Sequence, residues 1–78
     1  MREKKLRLIT TFHTTADAIA CEKACMAENI QGRMIPVPRQ LSAGCGLAWC
    51  SEPGTGEELS EFLKAKNIEF EEMSEIMF

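Results

Sequence analysis

An α+β domain with the element order βαββαβ is what this sequence predicts, on three observations. Stretches of alternating side chains read as strands, two capped stretches read as helices, and turn residues separate them at short intervals. The 78 residues make a single domain, 1–78. A chain this short buries only a little over ~60% of the surface it exposes when unfolded, so it supports one modest core. Its binding sites should therefore be shallow, on a loop, or shared between subunits.

Residues 5–12 alternate Leu6, Leu8, Thr10 and Phe12 against Arg7, Ile9 and Thr11, the period of a strand. Thr14 followed three residues later by Asp17 marks a helix start. That helix runs to about Glu28 or Asn29. On a helical wheel Ala16, Ile19, Ala20, Ala24, Met26, Ala27 and Ile30 share one broad apolar face, with Lys23 within it snorkelling out to water. The same wheel puts Cys21, Glu22, Cys25 and Asn29 on the outer face. Gly32 ends the unit.

Residues 33–37 read as a second strand that contains Pro36 and is followed by Pro38. Prolines two apart remove amide donors from the same side of a strand, so that side must be unpaired and the strand must lie at a sheet edge. A small-residue loop, 42–46, leads into a third strand at 47–50. Pro53, Gly54, Thr55 and Gly56 turn the chain. Thr55 with Glu58 repeats the capping-box pattern, and Leu59, Phe62 and Leu63 form the buried stripe of a second helix. Asn67 suits a left-handed cap. Residues 68–73 are read as the last strand, with Met77 and Phe78 as an apolar tail.

The favoured packing for this order is the split βαβ, or ferredoxin-like, sandwich. Its crossovers are right-handed, its antiparallel sheet order is 4-1-3-2, and both helices lie on one face. That order puts the second strand at an edge, as the prolines independently require. The open face and the apolar tail suggest a homo-oligomer.

The net charge is −3, with acid concentrated toward the C-terminus and base in the first forty residues. Scattered lysines on an acidic chain lack the stripe that would hold nucleic acid. No apolar run approaches the ~20 residues of a membrane span, and the charged start has no signal-peptide pattern, so the expected location is cytoplasmic. Four cysteines are then expected as free thiols. Cys21 and Cys25, four apart on a helix, hold their Cβ atoms ~5–6 Å apart, whereas a disulfide wants roughly 3.5–4.5 Å. Paired CxxC knuckles are missing, so no metal site is expected.

Cys45 is the candidate for chemistry. It lies in the loop between Gly44 and Gly46, which give it backbone freedom and let a ligand approach. In the expected topology, this loop and the turn after the first strand meet at one end of the sheet. Ser42, Gly44, Gly46 and Arg39 would thus lie near His13, Thr14, Thr15 and the amides opening the first helix. A helix N-terminus and a guanidinium stabilise a thiolate, and His13 could serve as base or ion partner. Against this stands the ordinary role of cysteine as a small buried hydrophobe, and of a strand-end histidine as a surface or capping residue. Cys50 is separated from Cys45 by an odd spacing, which points the two to opposite faces of a strand.

The runs Thr11-Phe12-His13-Thr14-Thr15, Glu22-Lys23-Ala24-Cys25, Gly32 to Arg39 and Ser42 to Trp49 resemble the family of putative selenium/sulfur carrier-like proteins, small bacterial and archaeal chains. The resemblance covers nearly the whole chain and is most specific over 32–49. It implies a carrier, rather than a stand-alone enzyme, that holds selenium or sulfur on Cys45 between donor and acceptor proteins. No cofactor is implied beyond a covalent persulfide or selenium on that cysteine. Two other readings stand beside it. One is a thiol redox or sensing module cycling through sulfenic acid. The other is a non-catalytic protein-interaction domain.

Overall fold

The alternating run that opens the chain forms β1 (Leu6–Thr11), and the Thr14 cap opens α1 (Thr15–Ala27). They are followed by β2 (Arg33–Pro36), β3 (Leu47–Ser51), α2 (Gly56–Ala65) and β4 (Glu72–Met77). The structure, a computed structural model, describes residues 5–38, 41 and 46–77. The protein is an α+β chain in which all four strands pair antiparallel in the order β2-β3-β1-β4. Counted from the opposite edge, this order is 4-1-3-2.

β2 pairs with β3 alone and occupies an edge. The direction of its amides explains the prolines. Val37 N donates to Gly46 O at 3.0 Å, toward the hairpin partner. Pro36 and Pro38, one residue either side, therefore turn their missing donors to the outer edge, where no strand needs them.

Antiparallel partners share a face, so the register sorts the side chains. Leu8, Thr10, Met34, Trp49 and Met73 face the helices. With Phe12 they meet Ala18, Cys21 and Cys25 of α1 and Leu59 and Leu63 of α2 in one buried cluster. Both helices thus cover the same face. Ile9, Ile35, Ala48 and Cys50 form a second cluster on the helix-free face, joined there by Val37, Leu41 and Ile76.

The expected faces of α1 are corrected. Cys21 and Cys25 do not lie on the outer face of α1: both are fully buried. Ile19 and Met26, expected inside, are 41% and 68% exposed, and Lys23 is exposed with them. The true stripe is Ala18, Cys21 and Cys25, spaced i, i+3, i+7, and cysteine fills it as a small hydrophobe.

The last strand begins at Glu72, four residues later than read from the sequence. Asn67 does take the left-handed conformation (φ 59°), and Ile68 N then donates to Leu63 O at 2.9 Å, closing the end of α2. Ile68 and Phe70 belong to the core beneath the helices, and pairing starts only where Glu71 N donates to Thr11 O at 2.7 Å. Met77 is consequently a strand residue paired with Leu6; Phe78 is outside the described residues.

Thr55 makes no side-chain cap. Its hydroxyl donates to Glu52 O at 2.7 Å and closes the preceding turn, while Glu57 and Glu58 supply negative charge to the first turn of α2.

Candidate functional site

The ends of the strands bring the candidate regions together. Thr11 pairs with Ala48 and Pro36 with Leu47. The turn bearing His13, Thr14 and Thr15 and the hairpin residues Val37 and Gly46 therefore share one end of the sheet. Cys45, Arg39, Ser42 and Gly44 lie outside the described residues. Gly46 is exposed, has a positive φ of 76° and open space where a Cβ would sit. An L side chain would be strained there, which suits the glycine to this bend.

Thr14 is committed to structure. Its hydroxyl accepts from Asp17 N at 3.1 Å and donates to Asp17 Oδ2 at 3.0 Å, so the helix uses its own residues to satisfy that amide. Thr15 follows as the first, exposed residue of α1. His13 turns toward β4, on the other side of β1 from the hairpin. Its Nδ1 lies 3.9 Å from Glu71 Oε1, and its ring borders a shallow cleft with Lys64, Asn67 and Phe70.

The other three cysteines are free and buried. Cys21 Sγ and Cys25 Sγ are 4.0 Å apart, a hydrogen-bonding distance for sulfur and far from the ~2 Å of a covalent bond. The hydrogen bond with Cys25 and then burial push the Cys21 thiol well up, which keeps it protonated. These two thiols fill the core of α1 and have no route to a reactant.

Sequence reasoning missed a cluster at the opposite end of the sheet. Cys50 pairs directly with Arg33 and with Ile9, and Arg7 lies two residues from Ile9 on the same face. A cavity of about 180 Å³ is lined by these arginines and Cys50, together with Gly32, Ser51 and Glu52. The strand pattern around Arg7 and Arg33 was readable, but which residues stand opposite Cys50 depends on a register that one sequence does not display. Among the described residues, no group of three or more His, Cys, Asp or Glu side chains could hold a metal ion. Likewise among the described residues, no helix is long and apolar enough to cross a membrane.

Fold and site together define a small α+β protein with free thiols and shallow clefts. The family described as "Putative Se/S carrier protein-like" matches residues 7–75, and the chain belongs to that family. Comparison with curated proteins gave no match, and comparison with solved structures gave none either.

Proposed function

We propose that this protein carries sulfur or selenium on Cys45 and passes it from a donor protein to an acceptor protein. The observation that carries the reading is the family match over 7–75, within which Cys45 falls. The fold is consistent with it: the sheet has the strand neighbours of a ferredoxin-like split βαβ sandwich, and its hairpin end is shared with the start of α1. In the loading step, the Cys45 thiolate attacks the outer sulfur of a donor persulfide. The new S–S bond forms as the donor's own S–S bond breaks, and the electron pair leaves with the donor thiolate. Arg39 would raise the thiolate population, whereas His13, turned toward Glu71, is left out of this role. Ser42, Gly44 and Gly46 would keep the loop small enough for another protein to approach. A thiol that must stay reduced between transfers fits the cytoplasm, and self-association would use the helix-free face.

The test is loading with a cysteine desulfurase and cysteine, or with a selenium donor, read by mass spectrometry. The expected result is one labile chalcogen on the Cys45 peptide, abolished in Cys45→Ser and retained in Cys21→Ser and Cys25→Ser. Loading that survives Cys45→Ser would overturn the assignment. Gain of oxygen instead of sulfur or selenium would favour a redox module, and an inert Cys45 an interaction domain.

A further inference from the structure

The cavity at the Arg7–Arg33 end of the helix-free face holds chemistry that carriage at Cys45 does not use. Directly opposed residues of an antiparallel pair hold their Cβ atoms ~4.5–5.5 Å apart, and diagonal ones ~7–8 Å. Arg33 is in the first relation to Cys50 and Arg7 in the second. Cys50 is only 5% exposed, yet it lines the cavity together with Arg7 and Arg33. Glu52 takes part of the Arg7 charge, at 3.6 Å. Arg33 makes no ion pair among the described residues.

Gly32 and Ser51 also border the cavity, at the strand ends beside Arg33 and Cys50. The volume of about 180 Å³ is several times the ~30 Å³ share of one water molecule. It admits a small polyatomic anion.

We propose that this cavity is an oxyanion subsite in which Cys50 takes sulfane sulfur from a small dianionic donor of the thiosulfate class. Guanidinium groups match the planar edge of oxygens on such an anion better than ammonium groups do. The Cys50 thiol gives its proton to solvent, and the thiolate attacks the outer sulfur of thiosulfate. A Cys50–sulfur bond forms while the bond between outer and central sulfur breaks. The electron pair leaves on sulfite, so a monoanionic persulfide and a dianion replace a monoanionic thiolate and a dianion. No oxidant or reductant is consumed. The arginines hold the sulfonate end, where charge accumulates as sulfite departs. The site goes beyond the proposed carriage at Cys45 and is independent of it.

The experiment uses full-length Cys45→Ser protein, reduced and mixed with thiosulfate, so that failure of the Cys45 reading leaves it untouched. Expected are one sulfite released per chain and one added sulfur on the Cys50 peptide. Adding Cys50→Ala should abolish both. Because Cys50 is buried, Arg33→Gln serves as a second variant on an exposed side chain. It should slow sulfite release about tenfold, the loss of one charge-assisted hydrogen bond, with Arg33→Lys recovering part. Inorganic sulfate should compete in the parent and lose that effect in Arg33→Gln. Sulfite release that persists without Cys50, that is absent in Cys45→Ser, or that is indifferent to Arg33→Gln would overturn the proposal.

Discussion

The two helices lie on the same face of the same sheet and hold to it by different means. α2 buries Leu59 and Leu63, with Phe62 half-buried beside them, and turns Glu57, Glu58 and Lys64 to solvent. Long side chains reach the core from a helix that stands off the sheet. α1 buries Ala18, Cys21 and Cys25 and brings its Cα atoms within 8 Å of β3 and β2. Small side chains permit that close approach, and the tall ones, Ile19 and Met26, are left outside. Apolar volume attaches one helix, and close packing of small groups attaches the other.

The sharpest way to break this contrast is to shorten the long contact. Leu63→Ala should cost about 3 kcal/mol, since Leu63 is fully buried in the core. Against the ~4–12 kcal/mol expected of a chain this size, urea denaturation should show a midpoint shift too large to miss. A loss under about 1 kcal/mol would mean that α2 is held by something other than its leucines.

Enlarging the close contact comes next. Cys25→Leu should destabilise by about 2 kcal/mol because the added methyl groups push α1 off the sheet. If the same urea measurement shows stabilisation instead, the close approach of α1 leaves a void and the comparison fails. The smallest effect belongs to the outside of α1. Met26→Lys should change stability by less than about 0.5 kcal/mol, because its side chain makes no core contact. A large loss there would restore the apolar face that the wheel suggested.

Much of the framework could be read from local signals. Thr14 as a cap, Asn67 as a left-handed stop, the leucines of α2 and the edge position of β2 all follow from chemistry within a few residues. The wheel of α1 misled because Ile19 and Met26 outweigh alanine and cysteine in apolar size. Scoring Cys21 and Cys25 as core residues would have found the stripe. The Cys45 loop was read as a small-residue stretch between strands; of it only Gly46 is among the described residues, with a positive φ of 76°. The position of His13 was legible as far as the sheet end it occupies, but not its turn toward Glu71, which sits 58 residues away in the chain.

Proline's missing donor, asparagine's tolerance of positive φ and the reach of a cap hydroxyl are properties of single residues, and the sequence carries them unaided. The face of α1 that is buried, the residue at which β4 begins and the meeting of Arg7, Arg33 and Cys50 were decided only in the folded chain. Each depends on how close two distant segments come and in what register. Strand pairing moves side chains between faces with every one-residue slip, so no single segment holds that information. Cys50 reads as an ordinary strand residue until β2 and β1 are laid beside it.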